Sequence, residues 1–128
     1  MTQVEAFEIW KKGAIEALDS AEKLFEYGKY DHCLFMLHLA VEKSLKALFI
    51  RLKNEAPPFT HNLAFLSEKS DIEIDEQMKK DLVEISGFNV AGRYEEYKTD
   101  LYKKATLEYS SKWMVRGKEI FNFFITKL

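Results

Sequence analysis

"YDHCLFMLHLAVEKSLKALFIRL", residues 30–52, is the stretch on which the fold turns. Leu34, Leu37, Val41, Leu45, Leu48 and Leu52 recur at spacings of three and four, which is the period of one helical face. Phe35, Leu39, Phe49 and Ile50 widen that seam, so a helix over 31–53 is expected to touch neighbours on more than one side. Asp31 stands where an N-cap belongs, and Pro57 and Pro58 stop the pattern because proline cannot continue a helix.

Working outward, Phe7, Trp10, Ala14, Ala17, Ala21 and Leu24 predict an amphipathic helix over 3–26, ended at Gly28. After the prolines, Thr60 reads as the cap of a short helix over 61–69, with Leu63 and Leu66 facing inward. Met78, Leu82 and Ile85 continue the rhythm from a cap at Asp75 as far as Gly87. A last helix over 100–127 carries Leu107, Trp113, Met114, Ile120, Phe121, Phe124 and Ile125. Its aromatic C-terminal end reads as firmly docked or facing a second copy. No run alternates with the period of a strand. The expectation is an all-α, up-and-down four-helix bundle with an additional short helix, five helices in all, filling residues 1–128 as one domain.

Composition narrows the function classes. With 19 Lys and Arg against 21 Asp and Glu, the net charge of −2 leaves nucleic-acid contact to a local patch. Cys33 is the one cysteine, so no internal disulfide forms and a reducing, cytoplasmic location is expected. No segment reaches the roughly 18 apolar residues of a membrane span. Glu5 and Glu8 interrupt the N-terminus where a signal peptide would be apolar.

Enzyme signatures are missing. His32, His38 and His61 follow Lys29, Phe35 and Pro58 by three residues, so the Glu-x-x-His pairs of a bundle di-metal site do not occur. There is no zinc spacing, Gly-rich phosphate loop or nucleophile elbow, and no cofactor is implied. Glu42 and Lys46 stand four apart in the favourable order, and the simplest account is an exposed helix pair worth ~0.3–0.5 kcal/mol. Lys46 alternatively reaches a phosphate at the mouth of the bundle. His61, in the first turn of the short helix, serves as a capping or packing residue, or as a hydrogen-bonding group toward a phosphate or base. In "GFNVAGRYEEYKTD", residues 87–100, two glycines permit a turn that presents Arg93 beside Tyr94. A guanidinium fork next to a stacking ring is suited to phosphate and base. The competing account pairs Arg93 with Glu42 or another helix carboxylate.

Gly28, Tyr30, Ala40, Glu42, Lys43, Leu45, Lys46, Ala47 and Leu48, then Thr60, His61 and Leu63, then Arg93 and Tyr94, follow a recognisable order. In that order and spacing, over about 5–125, the chain resembles the HEPN family of small helical-bundle domains. The resemblance implies a homodimer, often partnered by a minimal nucleotidyltransferase in a toxin–antitoxin module. It also implies a metal-independent ribonuclease motif, Arg-x(4–6)-His. Here the residues four to seven after Arg93 are Tyr97, Lys98, Thr99 and Asp100, and no histidine follows His61. The expectation is therefore a protein that binds nucleotide or RNA without cleaving it. Arg93, Lys46, Glu42 and His61 would make polar contacts, and Tyr94 or Tyr97 would stack. Tyr97 and Tyr102 are candidate targets for nucleotide transfer by the partner. The alternatives are a non-catalytic dimerisation or protein-interaction module and an atypical ribonuclease that relies on His61.

Overall fold

The computed structural model describes residues 1–90 and 95–128. These form six helices and no strand: α1 (Gln3–Glu26), α2 (Tyr30–Lys53), α3 (Leu63–Lys69), α4 (Glu76–Ser86), α5 (Glu95–Lys104) and α6 (Leu107–Ile125). No helix among the described residues is long and apolar enough to cross a membrane.

The centre of the bundle is α2. Every residue from Ser44 to Ile50 is buried, so this stretch is enclosed on all sides of the helix. It packs most extensively against α1, next against α6, and also against α3, α4 and α5. The widened seam of α2 is what makes this many-sided contact possible. Leu34, Leu37, Val41, Leu45 and Leu48 are all fully buried, with Leu63, Leu66, Leu82, Ile85 and Ile120 around them. Leu52, read as the last member of the seam, is instead exposed, one residue before the helix ends.

Local chemistry explains most of the boundaries. Thr2 caps α1 by accepting from the Glu5 amide, and Asp75 caps α4 by accepting from the Met78 amide. Gly28, at φ +75°, makes the left-handed turn between α1 and α2, a conformation that costs a side-chain-bearing residue about 1–2 kcal/mol.

Three boundaries differ from the sequence expectation. The expected fifth helix over 100–127 is two helices, bringing the number to six. Thr106 interrupts it as an N-cap whose hydroxyl accepts from the Tyr109 amide, and Leu107 beyond it is exposed rather than inward. Asp31 lies inside the first turn of α2, and the cap is Lys29, which makes no side-chain bond. The cap of α3 is Asn62, whose side chain accepts from the Phe65 amide, while Thr60 accepts from the Asn62 amide one step earlier. Asn outranks Thr at this position, and here the better cap won.

The α2–α6 contact tolerates no extra atom at Gly117. A Cβ there would stand 2.5 Å from Cδ2 of Leu37 and 2.9 Å from its Cγ. Helix propensity alone favours alanine by about 1 kcal/mol, whereas overpacking a filled core costs about 1–3 kcal/mol. On balance Gly117→Ala is expected to lower the urea midpoint by an amount equivalent to up to about 2 kcal/mol. Leu37→Ala combined with it should lose less than the sum of the single changes, because the two side chains compete for one volume.

Candidate functional site: a buried carboxylate beneath His61

Glu42 faces the interior from the middle of α2, its side chain only 4% exposed. A carboxylate this dry needs partners for both oxygens. Oε2 accepts from the Lys46 ammonium at 3.1 Å, one turn along the same helix. Oε1 accepts from Nδ1 of His61 at 2.7 Å, across from the loop that leads into α3. Nε2 of His38, one turn back on α2, lies 3.6 Å from the same oxygen.

His38 ties the loop down a second time. Its Nε2 lies 3.1 Å from the carbonyl oxygen of His61, which can only accept, so the proton sits on Nε2. The ring is fully buried, and its Nδ1 has no hydrogen-bond partner among the described residues. Burial pushes the imidazole below its ordinary pKa, outweighing the opposite pull of the His61 carbonyl and of Glu42. His38 is therefore neutral.

His61 bridges interior and surface. Its side chain is 55% exposed while Nδ1 is held by the Glu42 carboxylate. That bond puts a hydrogen on Nδ1, because the carboxylate can only accept. Phe59 stands beside it at a ring-centroid distance of 6.2 Å and is 98% exposed. Lys46 has a second partner, with its ammonium 5.0 Å from the ring centroid of Trp10 on α1. One carboxylate thus gathers α1, α2 and the loop before α3.

The sequence candidates are distributed as follows. Glu42, Lys46 and His61 come together. The exposed-pair account of Glu42 and Lys46 is corrected, since both are buried and the pair is part of the interior. Arg93 and Tyr94 lie outside the described residues. Tyr97 is on α5, 46% exposed, beside a depression that Phe88 and Leu101 also line. Tyr102, on the same helix, is 68% exposed. His38, Trp10 and Phe59 join the site without being among the sequence candidates. A signal for His38 is nevertheless present. His38, Glu42 and Lys46 stand on one line of α2 at spacings of four, beside its apolar seam. Among the described residues, no group of three or more histidine, cysteine or acidic side chains is placed to hold a metal ion.

A family model described as the HEPN domain matches residues 7–128. No curated protein matches the chain. Among solved structures, the crystal structure of TT1696 from Thermus thermophilus superposes with a TM-score of 0.78 at 17% identity. The match covers 95% of this chain and 98% of that one, and at such low identity it establishes the likeness of fold.

Removing Lys46 would leave Glu42 buried without its cation. Lys46→Met is expected to cost about 3–5 kcal/mol in urea unfolding, against less than about 1 kcal/mol for Lys79→Met at an exposed pair. Acidification should also destabilise the fold through His38. Its pKa is lower folded than unfolded, so the unfolded chain binds more protons below the ordinary imidazole value. Stability is expected to be at its plateau above about pH 6.5 and to decline as pH falls from there toward the depressed folded value. His38→Gln should flatten that decline in a series of urea titrations.

Proposed function

This chain belongs to the HEPN family, whose model spans residues 7–128, and on that premise we propose that it binds a nucleotide or RNA through the surface around His61 and Phe59. The observation that carries this reading is a half-exposed imidazole anchored to a buried carboxylate at 2.7 Å, next to a phenyl ring that is 98% exposed. An isolated phenylalanine in water gains nothing for the fold. Beside a fixed hydrogen-bonding ring, it forms the stacking and edge contact that an unpaired base needs.

In this reading Glu42 and Lys46 position His61, and Lys46 is not the phosphate contact. Its ammonium is only 6% exposed and is engaged by Glu42 and Trp10. Arg93 and Tyr94 supply the phosphate and further stacking contacts. The homodimer, the minimal nucleotidyltransferase partner and the toxin–antitoxin setting belong to the same proposal. A reducing cytoplasm suits it too, since burial pushes the Cys33 thiol up to about 12 and leaves it inert.

A second reading, a protein-interaction module, draws on the outer face of α1. Val4 is 73% and Ile15 51% exposed there, on one side of the helix. Fluorescence anisotropy with a labelled ribo-oligonucleotide, in chelator, separates the two. Phe59→Ala is expected to weaken binding about 10-fold, the scale of one lost base–aromatic stack, without changing the melting temperature. Arg93→Ala should weaken it as well. Wild-type protein that binds no oligonucleotide would leave the interaction module as the better account. Cleavage in chelator that His61→Ala removes would favour the ribonuclease alternative.

A further inference from the structure

Where α2 meets α1, the side chain of Lys43 lies against Gly13, in the interior of α1. A Cβ at Gly13 would stand 3.1 Å from Cδ of Lys43 and 3.4 Å from its Nζ, so the missing side chain is what lets the lysine lie so close. Glycine in a helix interior costs stability relative to alanine, and α1 bears that cost at the point where Lys43 reaches it. Ile9, Trp10, Lys12 and Glu16 complete the walls of a cleft of about 320 Å³ between the two helices. That volume lies at the small end of the ~300–1,000 Å³ of small-molecule sites.

Lys43 is half-buried, and among the described residues its ammonium meets no carboxylate, carbonyl or ring. The other charged side chains that are buried or half-buried are all engaged. Glu42 holds Lys46, Asp81 holds Arg116, Glu84 holds Lys104 and Glu22 holds Lys118. Asp31 stands by His32, and Lys11 by the ring of Phe7. A cation drawn out of water without a counter-charge is costly, and an anion entering the cleft offsets that cost. Lys12 adds little, because Glu16 stands 4.0 Å from it. One free positive charge beside one neutralised pair suits an anion of single charge, and the Glu16 carboxylate opposes a dianion such as phosphate. The rest of the wall is apolar, made by the exposed side chain of Ile9 and by Trp10.

We propose that the α1–α2 cleft binds a small organic monocarboxylate, its carboxylate on Lys43 and its flat or aliphatic body against Trp10 and Ile9. This site needs nothing from the nucleotide-binding reading, since neither Phe59 nor His61 lines the cleft. Trp10 connects the two, because the Lys46 ammonium stands 5.0 Å from its ring centroid. The larger depression between α3 and α4, about 910 Å³, is rimmed by Glu68, Glu73 and Asp75, and its one lysine, Lys79, is held by Glu76. It offers such a ligand no free cation.

The experiment titrates wild type, Lys43→Met and Phe59→Ala by calorimetry with naphthoate and with its neutral counterpart, naphthamide. Wild type is expected to bind the acid about 10-fold more tightly than the amide, the scale of one charge-assisted hydrogen bond. Octanoate should displace naphthoate, whereas inorganic phosphate should not. Lys43→Met keeps the apolar stem and should bind acid and amide alike. It should also melt no lower than wild type, because it removes a half-buried charge that has no partner. Phe59→Ala removes the exposed ring of the nucleotide reading and should keep the full preference for the acid, so the two sites are read apart. Wild type that binds neither compound, or both equally, overturns the proposal. A preference for the acid that survives Lys43→Met overturns the placement of the carboxylate. Displacement of naphthoate by inorganic phosphate or by adenosine monophosphate overturns the ligand class.

Discussion

The burial of one carboxylate organises this molecule. Glu42 sits in the middle of its most enclosed helix, where an unpaired charge would cost several kcal/mol. The fold answers with Lys46 from the same helix and His61 from a loop 19 residues away in sequence. His38 then holds the His61 backbone, so the loop is bound by both its side chain and its carbonyl. A proline-containing surface segment with few regular hydrogen bonds of its own acquires a fixed position in this way. Trp10 on α1, lying over Lys46, brings a third element under the same control.

The opposite side of the bundle is joined by a similar device nearer the surface. Glu84 on α4 accepts from the Tyr109 hydroxyl of α6 and pairs with Lys104 of α5 at 2.7 Å. Burial raises the pKa of Glu84, but Lys104 and Tyr109 outweigh it and hold the carboxyl below its ordinary value. Burial and the neighbouring carboxylate push Tyr109 far above the usual phenol range, so it remains a donor. Asp81 and Arg116 connect α4 to α6 at 2.6 Å, with Gln77 on the other oxygen of Asp81. Phe88 packs edge-on against Tyr109 and Trp113, whose own rings are tilted against each other. The polar pairs fix how the outer helices are set, and the apolar seam of α2 holds them in place.

These two arrangements differ in what they leave at the surface. Around Glu84 the carboxylate, the Tyr109 hydroxyl and the Lys104 ammonium satisfy one another. Around Glu42 one ring emerges: His61 is anchored at one nitrogen, with the other unengaged among the described residues, next to a phenylalanine in open water. That asymmetry is why the functional reading settles on the α2 face. The acidic rim between α3 and α4, although it encloses the larger volume, has the wrong charge for an anionic ligand.

Much of this was legible in the sequence. Periodicity placed α1, α2 and α4 closely, because an apolar stripe on a long helix survives almost any tertiary context. The caps at Asp75 and Gly28 followed from local stereochemistry, and the order of motifs pointed to the HEPN family that the domain match bears out. Boundaries decided by competition between neighbouring residues were not legible. Thr60 and Asn62 are both plausible caps, and Thr106 splits a pattern whose apolar rhythm runs straight through it. Spacing alone made Glu42 and Lys46 a surface pair, since four-residue separation is the same on a wet face and a dry one. Only the packing of α1 and the α3 loop over that face decided that the pair is buried and that His61 meets it. Sequence determines which residues share a side of a helix, because that is local geometry. What covers that side is a long-range contact, and it is the covering that turned a helix pair into a site.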